Sequence, residues 1–174
     1  MKRILVAGIG NIFLGDDAFG VEVVRRLVQR PLPEGVSVVD FGIRGMDLAY
    51  AILDGYDWVI LVDAAPRGDD PGTLYLIEPR AGDEPPEFGG HSIDPANVLR
   101  LVRAMGGEPG NVLVIGCEPS PCDLDEMDMS ISAPVQAAIP EAVSMVESLI
   151  EKLRGTIPGT EQGSAQEDAA SIHI

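Results

Sequence analysis

The residues able to do chemistry fall in four short stretches: "GIGNIFLGDDAFG" at 8–20, the aspartate of "WVILVDAAP" at 63, the histidine of "GGHSI" at 91, and the thiol and carboxylate of "VIGCEPS" at 117 and 118. A glycine-rich turn between a strand and a helix ordinarily holds phosphate, because its amide hydrogens and the helix dipole favour an anion. Here Asp16 and Asp17 stand where that anion would sit. Gly8 and Gly10 begin the dinucleotide pattern G-x-G-x-x-G, but Phe13 takes the place of its third glycine. Asp40 could imitate the ribose-binding acid, yet like charges in a partly desolvated site repel by kilocalories, and the stretch argues against a nucleotide.

Other uses remain for the pair. An aspartate just before a helix accepts orphan amide hydrogens and suits the positive end of the dipole. That use accounts for one carboxylate; the other reads as a first-turn acid, a metal ligand or a catalytic acid. Asp63 ends an apolar run, where a carboxylate is costly to bury without a partner, so it is either a turn residue or a functional one. His91 is one of two histidines and reads as a surface residue or a ligand. Two carboxylates and one imidazole from separate loops would make an incomplete site for a borderline divalent metal, open to water or substrate. Cys117 offers a rival chemistry, a thiol nucleophile with His91 as base, against the plainer reading of a small core residue.

These residues share an edge only if the elements carrying them form a parallel sheet, whose ligands bind outside the carboxyl ends of its strands. Periodicity and punctuation predict strands at 3–8, 36–41, 57–63, 73–78 and 111–117 and helices at 18–30, 45–54, 94–105 and 133–154. That alternation gives a three-layer α/β/α domain with a largely parallel sheet. Only about nine residues separate the third and fourth strands, and a parallel crossover needs about a dozen or more. The strand at 73–78 is therefore expected to be antiparallel and at an edge. Gly42 and Gly45, after the second strand, suit close approach of a substrate backbone. Residues 79–93 read as a mobile loop, and 155–174 as a disordered acidic tail following one domain over 1–154.

Composition narrows the function. A formal net charge of -16 with only 12 Lys and Arg argues against nucleic acid and anionic membrane as partners. No apolar stretch approaches the roughly 18 residues of a membrane span, and no leader pattern opens the chain, so a cytoplasmic location is expected. Cys117 and Cys122 fit no paired zinc spacing and read as reduced thiols.

The stretch "ILVAGIGNIFLGDDAFGVEVV" resembles the opening of the hydrogenase maturation endopeptidases, with a G-x-G-N turn, a spacer, an acidic pair and a nearby glycine. The likeness continues through "DFGIRGMDLAYAILDGYDWVILVDAA", "GTLYLIEP", His91, "VLVIGCEP" and "SAPV", about residues 3–154 in all. Ala18 departs from the glycine common after the acidic pair. The resemblance implies an α/β/α sandwich with a five-stranded mixed sheet. It also implies a peptidase that removes the C-terminal extension of the nickel-loaded large-subunit precursor of a NiFe-hydrogenase. Its metal-contacting residues fall on Asp17, Asp63 and His91, and Asp16 is left to cap the helix or orient the loop. Nickel would arrive with the substrate instead of being permanently bound. A non-enzymatic nickel-binding maturation factor is the other reading of the same three residues.

Overall fold

The computed structural model describes residues 2–79, 94–121 and 130–155. Five strands, β1 (Ile4–Ile9), β2 (Val36–Gly42), β3 (Trp58–Ala64), β4 (Leu74–Ile77) and β5 (Asn111–Cys117), form one sheet in the order β2-β1-β3-β5-β4. The first three and β5 run parallel, and β4 pairs antiparallel with β5 at the edge. The short connection after β3 cannot hold a crossover helix, so the chain turns straight back. Among the described residues the helices are α1 (Phe19–Leu27), α2 (Gly45–Leu53), α3 (Pro95–Ala104) and α4 (Ala133–Gly155).

Successive strand residues point to opposite faces, and each face finds its own helices. Ile4, Val6, Ile60, Val62 and Ile115 pack with α1 and α4, whereas Leu5, Ala7, Val59, Leu61 and Val114 pack with α2 and α3. The result is the expected three-layer sandwich. Burial on both faces explains why β1 and β3 read as continuous apolar runs instead of alternating ones.

Helix α1 is shorter than the expected 18–30: Ala18 belongs to a separate 3-10 turn, Gly15–Ala18, and at the other end the helix stops at Leu27, followed by a turn and a bend over 28–30. It lies very close to the sheet. A methyl group on Gly20 would stand 2.0 Å from the Val62 carbonyl oxygen and 2.4 Å from that of Ile9. On the strand side, a methyl on Gly8 would meet a Val24 methyl at 2.4 Å and the Gly20 oxygen at 2.5 Å. Gly20 thus performs the packing that a dinucleotide fold assigns to its third glycine, with the intervening residues spent on a longer loop. Helix α3 opens on Asp94, whose carboxylate accepts the Ala96 amide at 3.1 Å, with Pro95 at its first position. The expected loop at 79–93 and tail at 155–174 fall almost wholly outside the described residues. No described helix is long and apolar enough to cross a membrane.

Candidate active site

The loops after β1, β2, β3 and β5 meet at the carboxyl edge of the parallel strands, as the sheet order requires. At the end of β1 the backbone of Gly10 takes a φ of 130°, and its amide donates to the Gly42 carbonyl at 3.0 Å. A methyl there would lie 1.7 Å from the carbonyl oxygen of Asp17, so only glycine lets the loop fold back over the strand end. Asn11 then shapes the turn: its side-chain oxygen accepts the Phe13 amide at 3.0 Å, and its carbonyl accepts that of Leu14 at 3.1 Å. The Asp17 carboxylate reaches back to accept the Asn11 amide at 2.6 Å. One oxygen is held by the loop it belongs to.

Asp63, next to last in β3, is 6% exposed. Burial first, then the charge of Asp17, push its carboxyl well above the ordinary carboxylate range; the Ala64 amide draws it part of the way back, and Asp94 adds a further push. The charge of Asp17, itself half-buried, thus bears on a buried Asp63 carboxyl, and a proton or a cation would relieve that repulsion. His91, the third member of the expected set, lies outside the described residues. Among the described residues no group of three His, Cys, Asp or Glu side chains is arranged to hold a metal ion.

Asp16 does not cap a helix. Neither the 3-10 turn nor α1 has a side-chain cap, and the Asp16 carboxylate turns away to the chain beyond β5. It accepts the Ser120 amide at 2.8 Å, the Ser132 amide at 2.7 Å and the Ser132 hydroxyl at 2.9 Å. The Ser120 hydroxyl donates to that of Ser132 at 2.9 Å. The expectation that Asp16 caps the helix after its turn is corrected by these distant donors, which engage its carboxylate instead.

Gly42 has a φ of 54° and carries the carbonyl that holds Gly10, so its glycine character serves the junction of two loops. Gly45 begins α2 and is not among the glycines of positive φ.

Cys117 is fully buried at the end of β5. Burial, with the charges of Asp16 and Glu118 nearby, raises its thiol from an ordinary 9.0 to about 12. A thiolate nucleophile needs access and a low pKa, and Cys117 has neither, which removes the thiol-hydrolase reading. Its neighbour Glu118 is also buried but fully engaged. It accepts the Tyr75 hydroxyl at 2.6 Å, the Arg67 amide at 2.8 Å and the Gly68 amide at 3.2 Å. Burial pushes the Glu118 carboxyl up, and these bonds outweigh it, so its pKa lies below the ordinary glutamate value. Glu118 thereby fixes the loop that leaves β3 just after Asp63. The sequence flags Glu118 by position but not by partner, since Tyr75 and Arg67 are 43 and 51 residues away.

Known proteins resemble this chain in sequence and fold. The family model described as hydrogenase maturation protease matches residues 21–149. The hydrogenase expression/formation protein HupD of Rhizobium leguminosarum is 35% identical over 145 residues, covering 79% of this chain and 69% of that protein. The hydrogenase 2 maturation protease of Escherichia coli is 36% identical over 124 residues, 67% of this chain and 73% of its own. The structure of the hydrogenase maturating endopeptidase HybD from E. coli superposes with a TM-score of 0.71 at 31% identity, covering 87% of this chain and 94% of that one. Sequence and fold together define the class, a peptidase built on a three-layer α/β/α sandwich. The chain belongs to the hydrogenase maturation protease family.

Proposed function

We propose that the chain removes the C-terminal extension from the nickel-loaded large-subunit precursor of a NiFe-hydrogenase, with Asp17, Asp63 and His91 contacting the nickel that the substrate brings. The observation that carries this reading is the repulsion that Asp17 exerts on the buried carboxyl of Asp63. A divalent ion presented by the substrate relieves that repulsion. The precursor lacking the ion leaves it in place, so binding energy itself distinguishes a loaded precursor from an empty one. With the ion seated, the scissile peptide is oriented in the cleft, and a water polarised by the ion or by an aspartate attacks its carbonyl. Gly42 and Gly45 leave room for the substrate backbone beside this edge.

A protein substrate must cover the surface around the acids, and that surface carries a group of exposed apolar side chains. Ile12, Phe13 and Leu14 at the tip of the first loop are exposed, Phe13 by 65%, as are Ile43, Met46 and Tyr50 at the neighbouring loop and helix. An apolar lip of this kind suits a macromolecular partner. Purified precursor, with and without nickel, tests the proposal. Nickel-loaded precursor is expected to lose its C-terminal segment, and Asp17→Asn, Asp63→Asn and His91→Ala are each expected to abolish the cut while remaining folded. Equal cleavage of metal-free precursor, or full activity in Asp17→Asn and His91→Ala, would show that these residues do not read nickel. The same assay excludes a mere nickel carrier by the appearance of a shortened product.

A further inference from the structure

We infer that Asp16 is a positioning residue of the cleavage site, a latch that holds Asp17 in place by tying the first loop to the chain between β5 and α4. The inference rests on the reading of Asp17 as a site acid. Asp16 and Asp17 are consecutive in one 3-10 turn, and their carboxylates leave it toward different anchors. That of Asp17 is held from within its own loop, by the Asn11 amide at 2.6 Å. That of Asp16 is held from across the molecule, by donors 104 and 116 residues further along the chain.

The turn has little freedom on its other side, where the Asp17 carbonyl packs onto Gly10 too closely for a methyl group to intervene. It is therefore fixed between a backbone stop and a side-chain latch. A short 3-10 turn has few bonds of its own to resist rotation. Loss of the latch lets it turn about the Gly10 contact and carry the Asp17 carboxylate with it. Displacement of a reacting group by about 1 Å costs on the order of 100-fold in rate.

The chemistry of the latch requires a carboxylate. Two backbone amides and a hydroxyl all donate, one amide at Oδ1, the other amide and the hydroxyl at Oδ2, so both oxygens must be acceptors. An asparagine offers one acceptor oxygen, and its amide group would face a donor. Asp16→Asn is therefore severe where a helix cap would have tolerated it, since Asn caps about as well as Asp.

The experiment is steady-state cleavage of nickel-loaded precursor by the full chain and by Asp16→Asn, Ser132→Ala and the double variant, each checked by circular dichroism and thermal melting. The expected result is kcat lower by roughly 10- to 100-fold in Asp16→Asn with KM changed by less than about 3-fold, in a protein folded at the assay temperature. Ser132→Ala keeps its amide bond and is expected to lose only a few-fold. In the double variant the hydroxyl has no carboxylate left to serve, so kcat is expected to match that of Asp16→Asn alone. Wild-type kcat in Asp16→Asn overturns the inference, as does a loss that matches the unfolded fraction, or effects that multiply in the double variant. Activity in Asp17→Asn would instead defeat the reading of the site, a separate outcome from any of these.

Discussion

A carboxylate at the end of an apolar strand costs stability, and Asp63 shows why the protein bears that cost. Its side chain is buried beside a second acid, so ionising it costs more in the fold than in the unfolded chain. Replacing Asp63 with asparagine removes the charge and keeps the shape. The expected outcome is a protein more stable by about 1 kcal/mol, melting roughly 2–4 °C higher, that no longer cleaves precursor. A lower melting temperature in a denaturation scan would mean that the carboxylate is a net stabiliser. Asp17 and Asp63 were legible in the sequence because each breaks a local pattern, one a phosphate turn and the other an apolar run. The partners of Asp16 were not, because nothing within the turn hints that its donors lie at Ser120 and Ser132.

At the scale of elements, the loop between β3 and β4 has no regular structure and is held by Glu118 from the end of β5. The bonds that Glu118 accepts depress its pKa below the unfolded value of about 4.5. Its contribution to stability is therefore complete above that value and is lost as pH falls through the folded one. Asp63 works in the opposite sense, gaining stability as pH falls from its raised folded value toward its unfolded one, so a wild-type profile mixes the two. Comparing the parent with Glu118→Gln isolates the glutamate. The variant is expected to be less stable by about 2 kcal/mol near neutrality, the worth of charged hydrogen bonds, with the gap closing in acid. Urea denaturation at both pH values measures it, and a gap that persists undiminished below the folded pKa would rule out the ionised form as the source. The antiparallel β4 was readable from the length of one connection. The role of Gly20 was not, because the third packing glycine lies well beyond its usual spacing.

The whole molecule presents a contrast between a strongly acidic composition and a cluster of exposed apolar side chains near its acids. The layered architecture could be read from the alternation of strand and helix patterns, since each face of the sheet must find helices to cover it. Exposure of the lip could not, because Ile12, Phe13 and Leu14 look in sequence like ordinary core residues. Their loop is set instead by Asn11 and Gly10, which fix its backbone whatever the side chains at its tip do. Phe13 therefore contributes little to the fold and is free to contribute to docking. Burying such a ring against a partner is worth about 1.5–3 kcal/mol, roughly 10- to 100-fold in affinity. If the precursor covers the lip in both ground and transition states, Phe13→Ser raises KM by that order and leaves kcat nearly unchanged, with no loss in melting temperature. An unchanged KM would place the docked precursor elsewhere on the surface, and a fall in kcat alone would move Phe13 from docking to the positioning of the acids behind it.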